Sequence, residues 1–472
     1  MATERMRARN PLTGIEDYEF EVSPRAAVRA ACEAIRAAQP AWQALGVDGR
    51  AAALRALAGA FESHAADLFA ALSADTGRHR IAKVEAGAVQ GMIAHALANA
   101  PRVLAPDPDR PAVVPGIVGH RQLVPYPVVG VIAPWNFPVV LSMIDTIPAL
   151  VAGCGVVLKP SEVTPRYVEP LRRIFAAVPE VDAVFRVVLG PGSTGADLVD
   201  HADAIVCTGS VRTGRIVAEH AARRFIPAFL ELGGKDPVIV TRSADLERAA
   251  TAVLRASILA SGQACQSLER VYVDRAVYEP FMQRLLEKAR GVKTTAEDPH
   301  GQVGPFIMAR QAEIVREHLA DAVARGARVE LGGRIIERGG VWAEVTVLTG
   351  VTHAMKVMTE ETFGPVIPVM PYDTLDDAIR LANDGDYGLS ANVIAGTEAE
   401  ALAIAERLDA GFVSINEISM SSFVMDYEWE SFRFSGLGRS RMGPSGIARY
   451  LRVKAIVTSR NPPGDVSTMA DR

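Results

Sequence analysis

The order of apolar segments between residues 128 and 234 constrains this chain more than any other feature. Five short runs, VVGVIAP (128–134), GVVLKP (155–160), FRVVLG (185–190), AIVCTG (204–209) and AFLELGG (228–234), alternate with amphipathic stretches. Their Val, Ile and Leu residues are continuous rather than alternating, which marks strands covered on both faces. Repeated strand, helix, strand order predicts a parallel, doubly wound sheet. Ligands of such sheets sit outside the carboxyl ends of the strands. After Asp236 a second alternation runs through VIVTR, RVYVD, PVIPVMPY, ANVIAG and GFVSINE, predicting a second α/β domain. The alanine-rich stretch from Ser23 to Ala100 has apolar residues at helical spacing and predicts a helical layer. From Pro106 to Tyr126, prolines and glycine give way to alternation, the pattern of an exposed hairpin or arm.

Bulk properties narrow the function classes. A chain of 472 residues with 49% hydrophobic content supports two or three packed units with a sizeable interior. A net charge of −5 without a Lys/Arg block argues against nucleic acid as a partner, since phosphate binding needs concentrated positive charge. The opening MATERMRARNPLTG lacks the apolar core of a signal peptide, and no run has the length of a membrane span, so a cytoplasmic protein without a membrane partner is expected. Cys32, Cys154, Cys207 and Cys265 are far apart with no CxxC pair, which predicts neither a disulfide framework nor a metal cage. The terminal NPPGDVSTMADR reads as a mobile tail or a partner-contacting arm.

Each strand end carries polar residues with two readings. Asn136, in Pro134-Trp135-Asn136-Phe137-Pro138, is either a helix cap or an amide donor for a developing oxyanion. Lys159-Pro160-Ser161-Glu162 is either a solvated turn or a pair of groups for a sugar diol. Gly190 to Gly195 matches GxGxxG, yet it follows the third strand and lacks the fingerprint's downstream acid, so it is a weak signal. Gly209-Ser210 opens a helix, where Ser210 serves as a plain N-cap or free N–H groups hold pyrophosphate. Glu231 lies in the apolar Leu230-Glu231-Leu232-Gly233-Gly234, and burial of that kind is one way a general base near neutrality is made. Cys265, in SGQACQS, is either a small buried hydrophobe or a nucleophile with room beside it.

Six motifs, PWNFP, KPSE, TGS, ELGGK, GQAC and EETFGPV, stand in this order. With them the chain resembles the aldehyde dehydrogenase superfamily from NPLTG to RYLRVKAI. The resemblance implies an α/β fold: a doubly wound parallel-sheet cofactor domain (residues 1–110 and 127–234), a second α/β catalytic domain (235–438), and a small β oligomerisation arm with the C-terminal segment (111–126 and 447–472). It implies oxidation of an aldehyde to a carboxylic acid, with Cys265 as nucleophile, Asn136 and the Cys265 N–H as oxyanion hole, and Glu231 as the base for thioester hydrolysis. Lys159 and Glu162 would hold the adenosine ribose, Ser210 the pyrophosphate and Glu361 the nicotinamide ribose. Phe363 would border the nicotinamide, and Trp135, Ser161, Gly209 and Leu232 would complete the cofactor site. Glu162 favours NAD by repelling a 2′-phosphate, while Lys159 and Ser161 leave room for NADP. A homodimer or homotetramer is implied, with Arg270 structural.

Relatives that acylate coenzyme A lack the glutamate, so Glu231 favours hydrolysis. An acyl-transferring or acyl-reducing member, or an inactive binding or assembly protein, are the alternatives. The chain departs from the family at EWESFRFSGLGRSRMG (428–443): Glu428-Trp429-Glu430-Ser431 replaces PFGG, Arg433 stands for a lysine and Ser440 for an acid. Met143, Phe423 and Tyr427 read either as ordinary core, the commoner role of such residues, or as the lining of a substrate tunnel, which would suit medium-chain aliphatic or aromatic aldehydes.

Overall fold

The computed structural model describes residues 4–471. The five runs of the first alternation form parallel strands, ordered Ala228–Glu231, Ala204–Thr208, Val128–Ile132, Gly155–Lys159, Phe185–Val187. The chain winds outward one way from Val128–Ile132 and then returns to Ala204–Thr208 on its other side, so the sheet reverses direction between those two strands. Gly436–Leu437, from far along the sequence, adds an antiparallel sixth strand beside Ala228–Glu231. Val156, Leu158, Ile205 and Val206 are fully buried, each contributing about 1.5–3 kcal/mol by leaving water.

Helix Pro138–Ala152 follows the first strand and is anchored at both ends. At its start the buried Glu85 carboxylate accepts from the N–H groups of Val139 (3.2 Å) and Val140 (3.3 Å), filling donors that a helix leaves free. At its end Trp42 donates to the Leu150 carbonyl, Arg50 to Val151 and Gln39 to Gly153. These anchors come from the helices Arg25–Ala44, Gly46–Ser63 and His79–Leu104, part of the alanine-rich layer expected from composition. Asn136, two residues before the helix, therefore has a rigid support.

The second sheet has seven strands, ordered Arg328–Leu331, Thr346–Thr349, Val366–Tyr372, Leu268–Asp274, Asp236–Val240, Ser390–Ile394, Phe412–Ile415. All are parallel except Arg328–Leu331. Arg328–Leu331 and the hairpin of Arg5–Arg9 with Glu16–Glu21 were not legible as strands, because charged residues interrupt their apolar pattern; across the hairpin Arg5 meets Glu19 at 2.7 Å. A third sheet pairs Leu451–Ser459 with Ile117–Pro125 along their whole lengths, with Arg110–Pro111 beyond. No helix among the described residues is long and apolar enough to cross a membrane. Residues 1–3 and 472, included in the expected segment boundaries, lie outside the described residues.

Candidate active site

The loop bearing Cys265 is strained and heavily braced. After helix Leu246–Ile258, whose Asp245 cap accepts from Glu247 and Arg248 N–H, the backbone turns left-handed at Ala260 (φ 52°), Ser261 (φ 63°) and Gly262 (φ 72°). Two consecutive non-glycine residues in that region cost about 1–3 kcal/mol each. The compensation is local. Arg78 donates to the Ala260 carbonyl at 3.1 Å, Ser261 Oγ accepts from Gly304 N at 2.8 Å, and Gln263 is held through both ends of its amide by Pro305 O and Ile307 N at 3.0 Å. The glycine at 262 is obligatory, since a Cβ there would come within 2.3 Å of Gly364.

Arg78 also donates to the Asn136 carbonyl, joining the end of the first strand to the Cys265 loop. Asn136 is buried, and its Nδ2 donates to the Gln263 carbonyl at 3.1 Å. An amide nitrogen has two hydrogens, so this bond fixes the side chain and leaves one donor for a group beside Cys265. Sequence reasoning did not find Arg78 or Glu85, because neither belongs to a strand end.

Cys265 is partly exposed, whereas Cys32, Cys154 and Cys207 are buried. Dense surroundings still raise its thiol to about 12, and the Glu361, Asp236 and Glu231 carboxylates push the same way against Arg441. Gly234 packs on this residue so closely that a Cβ would lie 2.2 Å from the Cys265 carbonyl oxygen. Its N–H donates to Glu361 Oε1 at 3.0 Å. Burial, then the Glu269 carboxylate, push the Glu361 carboxyl up to about 8, opposed by that N–H. Glu269, also missed from the sequence, accepts from Lys235 Nζ (2.6 Å), Thr362 N (2.7 Å) and Phe363 N (2.8 Å). It thereby shapes the turn that holds Phe363 at φ 53°, with the ring 5.5 Å from that of Trp135, edge to face.

Glu231 does not sit among apolar groups alone, as its sequence neighbours suggested. Ser431 Oγ donates to its Oε2 at 2.7 Å, and Arg441 Nε lies 3.6 Å from its Oε1. Both partners come from the 428–443 segment: Ser431 belongs to the stretch that departs from the motif, which was a signal for it, whereas nothing in the sequence marked Arg441. Ser440 is buried in that segment's own turn, accepting from Trp429 and Met442 N–H at 3.1 Å.

The remaining cofactor candidates line the carboxyl edge of the first sheet, on either side of its reversal point. Lys159 Nζ is buried and bonds Glu162 Oε2 at 3.0 Å, leaving that carboxylate part-exposed. The Ser161 hydroxyl accepts from Val163 N at 3.2 Å. Ser210 caps helix Val211–Arg223, its Oγ accepting from Thr213 N. A Cβ on Gly209 would meet only Thr213, at 3.9 Å, so a group of phosphate size can approach the helix start. Leu232 is buried against Gly214 of the same helix. These features fit a dinucleotide. The GxGxxG stretch follows the edge strand Phe185–Val187, away from the reversal point.

Of the two readings of Met143, Phe423 and Tyr427, the tunnel lining is not what the structure places. Met143 is fully buried core, while Phe423 and Tyr427 are exposed at 63% and 71%, so none of the three lines an enclosed tunnel. A cavity of about 20 Å³, room for a single water, lies near the same segment among Met92, Ile144, Met425, Met442 and Ile447, with His95 and Arg441 as its polar groups, and neither Cys265 nor Asn136 borders it. Arg270 is structural, its guanidinium donating to the Lys235, Leu381, Ala382 and Asp384 carbonyls.

Comparison with known proteins gives the family. A sequence model described as the aldehyde dehydrogenase family matches residues 1–456. A Mycolicibacterium smegmatis protein, provisionally named a succinate-semialdehyde dehydrogenase with NADP(+), is 39% identical over 96% of this chain and 90% of its own. The structure of a provisionally named aldehyde dehydrogenase from Anabaena variabilis superposes with a TM-score of 0.95 at 46% identity, covering 98% of this chain and 99% of the other. A Staphylococcus aureus betaine aldehyde dehydrogenase in complex with NAD+ gives a TM-score of 0.90 at 27% identity, covering 97% and 92%.

Proposed function

The chain belongs to the aldehyde dehydrogenase family and is an NAD(P)-dependent enzyme of aldehyde oxidation, and from that premise we propose that it converts an apolar aldehyde to its carboxylic acid by way of a thioester on Cys265. The observation that carries the reading is the bond from Asn136 Nδ2 to the Gln263 carbonyl, two residues before Cys265. A loop carrying the nucleophile and a second loop carrying a buried amide donor are thereby held together.

In this reading the Cys265 thiolate adds to the aldehyde carbon, because thiolate and not thiol is the attacking form. The oxyanion so formed takes hydrogen bonds from the free Asn136 hydrogen and the Cys265 N–H, a type of contact worth roughly 3–4 kcal/mol. When bound, NAD(P)+ supplies the hydride acceptor that makes oxidation of this carbon possible. Glu231 then removes a proton from water, whose oxygen adds to the thioester carbon as the carbon–sulfur bond breaks. Lys159, Ser161 and Glu162 would hold the adenosine ribose, Gly209 and Ser210 the pyrophosphate, and Glu361, Phe363, Trp135 and Leu232 the nicotinamide end.

The part-exposed Glu162 carboxylate supports a preference for NAD, and the substrates proposed are medium-chain aliphatic or aromatic aldehydes. Purified enzyme should form NADH from hexanal or benzaldehyde without coenzyme A, with kcat/KM about tenfold higher for NAD than for NADP. Turnover only with coenzyme A would make it an acyltransferase, and no turnover with any aldehyde would make it a binding protein.

The three-stranded arm supports self-association. Strand Leu451–Ser459 is exposed beyond its first residue, with Val453 and Val457 facing outward, and such edges invite pairing. Light scattering at micromolar concentration should give the mass of two or four chains; a monomer mass would contradict this. We assign residues 1–110 and 127–234 to the dinucleotide domain, 235–438 to the catalytic domain and 111–126 with 447–472 to the arm and C-terminal segment. Four dispersed free cysteines accord with a cytoplasmic location.

A further inference from the structure

Behind Glu231 lies a buried chain of charges that the mechanism above does not use. The Arg441 side chain is 7% exposed, and its Nε has no hydrogen-bond partner. Its Nη2 is fixed by Asp145 Oδ2 at 3.1 Å and Thr208 Oγ1 at 2.6 Å. Asp145, 1% exposed, is held from its other oxygen by Arg449. Arg449 in turn bonds the Tyr450 hydroxyl at 2.8 Å and stacks on Phe229. Asp145 comes from helix Pro138–Ala152, Thr208 from a strand end, and Arg441 and Arg449 from the chain near the C-terminus, so three separate stretches of chain meet behind one carboxylate.

The charge count is unbalanced until Glu231 is included. Two guanidinium groups share one buried aspartate, and an uncompensated buried cation is costly. An ionised Glu231 makes the cluster neutral. The groups facing Glu231 are Arg441, Arg449 and Ser431 on this side and Cys265 across the site, with Asp145 behind. The Arg441 contact of 3.6 Å is too long for a hydrogen bond. It therefore sets a cation beside the carboxylate while leaving the carboxylate free to move.

We infer that Arg441 is a positioning residue for deacylation, placing its charge beside Glu231 at the mouth of the Asp145–Arg449 cluster and leaving the carboxylate free to turn toward the acyl group. The inference rests on the reading of Glu231 as the base. Once Glu231 takes the proton from water the cluster carries one excess positive charge, so its field drives that proton onward to solvent and restores the base.

The test uses the full enzyme with NAD+ and hexanal, following the NADH burst and the steady rate from pH 5.5 to 9.5. Removing a neighbouring cation raises a carboxyl pKa, commonly by about 1–3 units. Arg441→Met should therefore move the acid limb of kcat upward by about one pH unit, a roughly tenfold loss near pH 6, with the burst rate and amplitude kept. Arg441→Lys, which retains the charge, should return the limb toward the parental position. Because Arg441→Met removes one member of a buried cluster, the isosteric Thr208→Val serves as a second test: kcat should fall about fivefold with the burst intact. An unmoved acid limb in Arg441→Met, an equal fall of burst and kcat at every pH, or a parental kcat in Thr208→Val would each overturn the role of Arg441. Parental turnover by Glu231→Gln would instead remove the reading on which it rests. A stalled Glu231→Gln together with an unmoved limb in Arg441→Met would overturn the Arg441 role alone.

Discussion

Cys265→Ala should form no NADH with any aldehyde and hydrolyse no activated ester, a loss of at least about 10⁴-fold in kcat/KM. The prediction is strong because no other group can take the place of the sulfur. Of the four cysteines three are buried, and no other thiol lies on the loop braced by Arg78, Ser261 and Gln263. The substitution is also mild for the fold: it removes one partly exposed sulfur and leaves the left-handed turn, the Asn136 bond to Gln263 and the Gly234 contact in place. Unchanged thermal unfolding beside lost activity is the expected pair of results. Residual oxidation above about one part in a thousand would remove Cys265 from the reaction.

The raised thiol adds a pH dependence with a definite sign. A thiol near 12 is almost wholly protonated at neutral pH, and its thiolate fraction rises about tenfold per pH unit until the pKa is approached. Alkylation of Cys265 in the cofactor-free enzyme by iodoacetamide should accelerate about tenfold for each pH unit between pH 7 and 10. A pH-independent rate would mean that the thiolate already forms at neutral pH without ligand.

Much of the fold was legible because burial on both faces writes itself into the sequence as continuous apolar runs. All five runs of the first alternation became strands of one parallel sheet, and Asn136, Lys159, Ser210 and Glu231 stand at or just beyond their carboxyl ends. Positions fixed by chain direction can be read along the chain. What was not legible acts across it. Arg78 reaches Asn136 from 58 residues away and Ala260 from 182, and Arg441 reaches Thr208 from 233. No local pattern encodes such partners, because a buried arginine has the same composition signal as an exposed one. The tunnel residues failed for a related reason: Met143 and Ile144 are neighbours on one helix, and only its packing decides that Met143 joins the core while Ile144 borders the cavity.

Glu231→Gln separates the two halves of the reaction and is the sharpest test of how they are divided. Glutamine has nearly the same shape and can still accept from Ser431 Oγ, so the site's geometry is kept while the base is lost. If Glu231 serves only hydrolysis, each site should release about one NADH in a burst and then stall, with the steady rate down by about 10²–10⁴-fold. Stability should fall as well, because Arg441 and Arg449 are left with Asp145 as their one buried counter-charge, although the 3.6 Å contact places the cost toward the low end of about 3–5 kcal/mol for breaking a buried pair. The burst is the decisive quantity. A thiol raised to about 12 needs a proton acceptor before it can attack, and Glu231 is one of the carboxylates acting on it. A variant with neither burst nor turnover would therefore assign Glu231 to activating Cys265 rather than water. A full burst followed by a stall assigns it to the water, and a steady rate equal to the parent's removes it from both.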